Sequence, residues 1–256
     1  MSLQHFFLED QDFAASEESG DGSVQLNLSK EDLHHAKVLR LKPGEHIGVI
    51  DSKGAFFEAE VFDFGDKLIV KNCGHDTVDD HLHLWLCPGI SKGNKLDDVI
   101  RACTEIGVYG FIPVAFERSV SKLDEHKEAN KNERWAKIAK SAAMQSGQYF
   151  IPKINHVVDV KTLCEQVSDF DAVIVCWEEE SSMQALNDIC EKIKAKDEEQ
   201  NIAIVVGPEG GITQAEVEAL KSSNKNTKVV SIGNSILRTE TAGVVASALV
   251  KFNLAC

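Results

Sequence analysis

From Leu82 to the C-terminus the chain alternates short apolar runs with amphipathic stretches, and few folds accommodate that rhythm. LHLWLCPG is followed by NKLDDVIRACTEIGV, whose apolar residues at 96, 99, 100, 103 and 106 share one helical face. GFIPVAF reads as a strand and ERWAKIAKSAAMQ as a helix. DAVIVCW (Asp171 to Trp177), IAIVVG and KVVSIG read as further buried strands. SMQALNDICEKIKAK, ITQAEVEALK and TETAGVVASALVKFNLAC read as the helices that follow them. Thr213 and Glu216 have the spacing of a capping box. Such alternation predicts an α/β fold with a mainly parallel sheet. The last helix is apolar or small nearly all round, so burial on several sides is expected, by the fold core or by a subunit interface.

The first part of the chain has a different pattern. GEHIGVID (Gly44 to Asp51) and GAFFEAEVFDF (Gly54 to Phe64) flank Ser52-Lys53 and read as a hairpin, with KLIVKNC as another strand. In SKEDLHHAKVLRLKPGE, Ser29 is placed to cap a short helix that Pro43-Gly44 ends with a turn. A small barrel or curled sheet over residues 1–73 follows, with the larger domain over 74–256 and GHDTVDD (Gly74 to Asp80) as linker.

Composition narrows the class. A chain of 256 residues, 43% hydrophobic, buries a real core. No run approaches the roughly 18 apolar residues of a membrane span, and MSLQHFFLED has no basic segment before an apolar core. Seven cysteines, an odd number without a CxxC pair, read as free thiols. The expectation is a cytoplasmic protein. His34, His35, His75, His81 and His83 have no compact ligand set around them, so no metal is expected. A net charge of −14 argues against nucleic acid as a whole-molecule average. Locally, KEANKNERWAKIAK sets Lys127, Lys131, Arg134, Lys137 and Lys140 against only Glu128 and Glu133, either as a solvated face or as a phosphate-contacting surface.

Ligands of open α/β sheets sit beyond the carboxyl ends of the strands. DAVIVCW runs into Glu178-Glu179-Glu180, IAIVV into GPEGG and KVVSIG into NSILRTETA. Glycines allow close backbone approach, and Pro208 stiffens the turn. A phosphate cradle fails on detail: there is no GxxxxGK[ST] and no GxGxxG, and Glu209 repels phosphate. A neutral or cationic ligand suits the loop better, and a plain strand-to-helix turn is the alternative. In ILRTETAGVV, Arg238 and Glu240 enter an apolar helix one residue apart. Such charges are costly unless paired or used. Thr239 or Thr241 can cap that helix.

GPEGGITQAE together with IGNSILRTETA resembles the SPOUT methyltransferases, specifically the ribosomal small-subunit (16S) RNA uridine-N3 methyltransferases of the RsmE type. HHAKVLRLKPGE, PGISKGNKLDDVIRACTEIGV, FERSVSKLD and ERWAKIAKSAAMQSG extend the resemblance through the chain. It implies a PUA-like N-terminal β-barrel that grips RNA, and a SPOUT domain with a deep trefoil knot at roughly 175–256. It also implies a homodimer and S-adenosyl-L-methionine as cofactor. The implied cofactor pocket is Trp177, the loop Gly207, Pro208, Glu209, Gly210 and Gly211, then Ile232, Gly233, Ile236, Leu237 and Thr241. Arg238 is implied to stabilise charge on the uracil, with Glu240 as base or, preferably, as the group that holds Arg238. Arg40, Lys92, Lys95, Arg101, Arg118, Lys122, Lys131 and Arg134 remain as candidate contacts to 16S rRNA. Where the family carries charged residues, this chain has Met144, Gln148 and Ser235. That departure keeps open a weak or inactive RNA-binding or ribosome-assembly factor, or an enzyme for another RNA.

Overall fold

The structure is a computed structural model. It describes all residues except 1–2, 17–19, 77–81, 120–124, 178–185, 187, 189, 193–197, 234 and 256. The helix expected over SMQALNDICEKIKAK and the run Glu178-Glu179-Glu180 lie largely or wholly outside the described residues. Two compact units result, one of Met1–Asp79 with Ala143–Ile151, the other of Asp80–Ala142 with Pro152–Cys256.

In the first unit, strands β1 (Gln4–Phe7), β2 (Ser23–Gln25), β3 (His46–Ile50), β4 (Phe56–Phe64) and β5 (Leu68–Asp76) form a sheet in the order β1-β3-β4-β5-β2. β3 and β4 make the expected hairpin, with Ile50 opposite Phe56. β5 runs on through Gly74 to Asp76, so the expected linker begins as strand. Helix α1 (Lys30–Leu39) starts at Ser29, whose hydroxyl accepts from the Asp32 N–H at 3.1 Å. It stops earlier than Pro43-Gly44: Arg40 takes the left-handed conformation at φ 56° and closes the last turn onto the Lys37 carbonyl. Phe6, Ile47, Val49, Val61, Leu68 and Val70 are fully buried at the centre of this unit. Ala143 and Met144 pack into the same core. Met144 therefore stands in a dry interior where a charged residue would be costly without a partner.

The second unit is a six-stranded sheet in the order β13-β11-β12-β6-β7-β9, every neighbouring pair parallel. Its strands are β6 (Leu82–Pro88), β7 (Gly110–Phe111), β9 (Lys153–Ile154), β11 (Ala172–Cys176), β12 (Gln200–Val206) and β13 (Thr227–Val230). GFIPVAF is not one strand. Pro113 has no N–H for a ladder, and the segment splits into β7 and β8 (Val114–Ala115), the latter pairing with β10 (Val158–Asp159) in a separate ribbon. Among the described residues the further helices are α2 (Lys95–Ile106), α3 (Glu125–Ser146), α4 (Val160–Gln166), α5 (Gln214–Ser223) and α6 (Thr239–Ala255). Helix α2 buries Leu96, Val99, Ile100 and Cys103, the stripe its spacing predicts. Among the described residues, no helix is long and apolar enough to cross a membrane.

Within a single copy of the chain, helix α6 is enclosed along only part of its surface. Ala242, Ala246, Ser247 and Val250 are buried, while Phe252 is 69% exposed. Small residues let α6 lie close to its neighbours: a Cβ on Gly243 would come 3.2 Å from Val99 and 3.4 Å from Leu86.

Candidate functional site

Parallel strands all deliver their carboxyl ends to one edge of the sheet, so β11, β12 and β13 bring their following loops together. A cavity of about 370 Å³ opens there. Cys176 and Trp177 line it from β11, Val206 to Glu209 and Gly211 from β12, and Ser231 to Gly233 and Ser235 to Thr239 from beyond β13. Lys95 and Ala242 complete the wall.

The loop after β12 is held from three sides. Gly89, just beyond β6, packs so closely that a Cβ would lie 2.4 Å from the Pro208 nitrogen. Gly210 abuts the chain at Arg118, where a Cβ would meet the Arg118 carbonyl oxygen at 2.8 Å. The Arg118 guanidinium donates to the Gly210 carbonyl at 3.2 Å. The Trp177 indole N–H donates to the Ile212 carbonyl at 3.1 Å, tying β11 to the same loop. Immediately after it, the capping box forms as its spacing predicts. Thr213 Oγ1 accepts from the Glu216 N–H at 3.3 Å, and Glu216 Oε2 accepts from the Thr213 N–H at 2.9 Å. Glu216 Oε1 also accepts from the Glu117 N–H at 2.7 Å, which fixes the segment holding Arg118.

Charges cluster at the cavity rim. Lys95 Nζ donates to Glu209 Oε1 at 3.0 Å and lies 3.6 Å from Glu240 Oε2. Arg238 Nη1 stands 4.0 Å from Glu240 Oε1, and the Arg238 side chain is 83% exposed. Burial acts to raise the Glu209 carboxyl. Its own N–H, the Lys95 ammonium and the Lys92 N–H outweigh that and hold it below the usual carboxylate value. The hydrogen bond to Glu209 is the largest influence on Lys95 and raises its pKa, so it stays an ammonium. Cys176 in the wall is pushed up to about 12 by burial and stays a thiol. Among the described residues, no group of three or more His, Cys, Asp or Glu is placed to hold a metal ion.

Of the expected pocket residues, Trp177, Gly207, Pro208, Glu209, Gly211, Ile232, Gly233, Ile236 and Leu237 line the cavity, as does Arg238. Gly210 does not line it; it faces Arg118. Thr241 is exposed and away from the lining. Neither threonine is the N-cap of α6. The Arg238 carbonyl accepts from the Ala242 N–H at 2.8 Å, which makes Arg238 the capping position. Glu240 reaches the cavity through Lys95. The candidate RNA residues scatter. Arg40 and Lys92 are exposed, and Arg101 is exposed and paired with Asp98 at 2.7 Å. Arg134 pairs with the buried Asp97, Lys131 donates to the Gly93 carbonyl at 3.4 Å, and Lys122 lies outside the described residues. Sequence reasoning missed Lys95, Cys176, Val206, Ser231, Ser235, Thr239 and Ala242 as pocket residues. Only the position of Lys95 at a helix start, where cations are disfavoured, signalled a special role.

Three adjacent strand-end loops of a parallel sheet thus close one pocket, and the chain carries a separate small β unit as well. Residues 78–251 match the family model of the RNA methyltransferase domain, and residues 28–71 match that of the RNA methyltransferase PUA domain. The Ribosomal RNA small subunit methyltransferase E of Bacillus subtilis is 31% identical over 254 residues, spanning 98% of this chain and 96% of its own. Its counterpart in Buchnera aphidicola is 32% identical over 228 residues, spanning 86% and 84%. The crystal structure of a Ribosomal RNA small subunit methyltransferase E from Neisseria gonorrhoeae bound to S-adenosyl methionine superposes with a TM-score of 0.75. It is 25% identical, covering 98% of this chain and 97% of that one. The chain belongs to the RNA methyltransferase family, in its small-subunit methyltransferase E branch.

Proposed function

We propose that this protein transfers a methyl group from S-adenosylmethionine to N3 of a uridine in the 16S rRNA of the small ribosomal subunit. The observation that carries the reading is the convergence of Trp177, the Gly207–Gly211 loop and the Ile232–Arg238 segment on one cavity. The residues present suit the cofactor. A volume of about 370 Å³ lies in the ~300–1,000 Å³ range of small-molecule pockets. Val206, Ile232, Leu237 and Ala242 offer apolar cover for a flat base, and peptide groups of the glycine loop offer edges for hydrogen bonds. A Cβ built on Gly233 meets no protein atom within 4 Å, which leaves open space beside that backbone.

When bound, the cofactor supplies an electrophilic methyl on a sulfonium. Arg238, exposed at the pocket lip, stabilises the negative charge that grows on the uracil oxygens as N3 gives up its proton to water. Glu240 holds Arg238; its two oxygens at 4.0 Å from Arg238 and 3.6 Å from Lys95 support that role over a base free to turn. The target base is splayed out of its RNA context to reach the pocket.

The finer architecture belongs to the same proposal. The sheet of the first unit curls into a PUA-like barrel that grips RNA, through Arg40 among others. The chain from about 175 onward ties a deep trefoil knot; β13 pairing with β11 rather than with β12 supports the crossing this needs. Two copies form a homodimer in the cytoplasm, and the exposed Ile236 and Phe252 are candidates for its interface.

Small subunits from cells lacking this gene, given radiolabelled S-adenosylmethionine and the protein, should yield labelled 3-methyluridine on nucleoside analysis. Label in another nucleoside would refute the position. No label, with cofactor binding intact, would refute the enzyme reading for this substrate.

A further inference from the structure

Lys95 stands where a lysine is disfavoured. It is the first residue of α2, at the positive end of the helix dipole. Asp97 and Asp98, further along the same turn, follow the usual preference for acids, and Asn94 before it makes no side-chain cap bond. Two carboxylates from two other segments hold the ammonium there. Glu209, from the loop after β12, accepts at 3.0 Å, and Glu240, in the first turn of α6, lies at 3.6 Å. Glu240 Oε2 is sealed from solvent and has no hydrogen-bond partner, so the nearby ammonium is what compensates it.

We propose that Lys95 is a positioning residue that ties the Gly207–Gly211 loop, through Glu209, to the turn carrying Arg238, through Glu240. The proposal rests on the functional reading above. Two positive and two negative groups, Lys95 and Arg238 with Glu209 and Glu240, then form one network drawn from three segments. Seating of the loop around a ligand and the aim of Arg238 are set together. Service as a phosphate contact would instead require the ammonium to leave a buried carboxylate uncompensated. Proton acceptance is closed to it, because Glu209 keeps it an ammonium.

The test uses the full-length protein and the variants Lys95→Met, Lys95→Arg, Glu209→Gln and Glu240→Gln, with the doubles Lys95→Met/Glu209→Gln and Lys95→Met/Glu240→Gln. Calorimetry gives the Kd of S-adenosylmethionine, and single-turnover assays at saturating cofactor and RNA give the methyl-transfer rate. Lys95→Met should raise Kd about fivefold, the scale of a half-exposed ion pair, and slow transfer about tenfold through misplaced Arg238. Lys95→Arg, which keeps the charge and guards against a folding artefact, should recover both to within about twofold. Each double should be no worse than its worse single, because the groups act as a unit. Lys95→Met within twofold of wild type on both readouts, or singles whose effects multiply in the doubles, would overturn the proposal. If the wild type transfers no methyl, the functional reading fails, and the Lys95–Glu209 cycle in Kd still decides the tie on its own.

Discussion

Gly89→Ala is the sharpest test of how the cavity is built. The added Cβ would sit 2.4 Å from the Pro208 nitrogen, 2.7 Å from its Cδ and 2.9 Å from the Gly207 carbonyl carbon. All are backbone or ring atoms that cannot swing aside. Ordinary carbon contacts need ~3.5–4.0 Å, so the loop and the end of β6 must part by about 1 Å. The Gly89 N–H donates to the Val206 carbonyl at 2.7 Å, and that bond resists the parting. Overpacking of this kind costs about 1–3 kcal/mol. At about 2–4 °C per kcal/mol for a chain of this size, the melting temperature should fall by several degrees. The displaced loop is the floor of the proposed cofactor pocket, so the Kd of S-adenosylmethionine should rise about tenfold, equivalent to ~1.4 kcal/mol. Gly65→Ala is the control. Its Cβ meets nothing within 4 Å, and the change should stay within about 0.5 kcal/mol. Thermal unfolding and calorimetry read both effects. Wild-type melting and wild-type affinity in Gly89→Ala would refute the close packing of Gly89 under the loop.

Arg238→Ala should slow single-turnover methyl transfer about 10²–10³-fold, the usual loss of one charge-stabilising donor, while cofactor Kd changes less than about threefold; equal losses in both would reassign Arg238 to cofactor binding. Trp135→Phe removes the indole N–H that donates to buried Asp97 at 3.1 Å, and denaturant unfolding should show a loss of about 1–3 kcal/mol. Burial lowers the pKa of His5, against a smaller upward pull from the hydrogen bond to the Gln148 carbonyl. The unfolded chain therefore takes up this proton first as pH falls through the ordinary value of 6.5, so the stability of the first unit should decline below that pH and level off above it. His5→Gln should flatten that part of the pH profile, and an unchanged slope would show that other groups carry it.

The second unit was largely legible because its elements are long and periodic. The apolar stripe of α2, the buried runs of β11 and β12 and the Thr213–Glu216 capping box each state their structure locally. What escaped is non-local or short. β1 pairs with β3 in parallel, a contact that no hairpin signal announces. The stretch 152–170 carries two-residue strands, too short for any period to register. Residues Ala143–Ile151 join the first unit although α3 runs into them without a break in pattern. Hence Met144 reads in sequence as a lost charge and in the fold as a core residue. At the site, the loop sequences identified the walls, but the pairing of Lys95 with two acids depends on where three distant segments meet.

That same pairing reshapes the problem of how a chain of net charge −14 holds RNA. The helix that looked most cationic is partly neutralised, once by an acid of α2 and once by one of its own. Arg134 pairs with Asp97, whose side chain is only 9% exposed, and Lys137 with Glu133 at 3.0 Å. A phosphate competing for Arg134 must strand a buried carboxylate, which is strongly unfavourable. Arg101 differs. Its partner Asp98 is 76% exposed, so that pair contributes little and is readily exchanged for a phosphate. Arg40 and Lys92 stand exposed as well. Each phosphate neutralised adds about 0.7–0.9 to the salt slope of binding. If Arg101, Arg40 and Lys92 carry the contacts in the described residues, removing any of them should lower that slope by about one such step, while Arg134→Ala should chiefly lower stability. A larger loss of slope in Arg134→Ala than in Arg101→Ala would show that the buried pair opens on RNA after all.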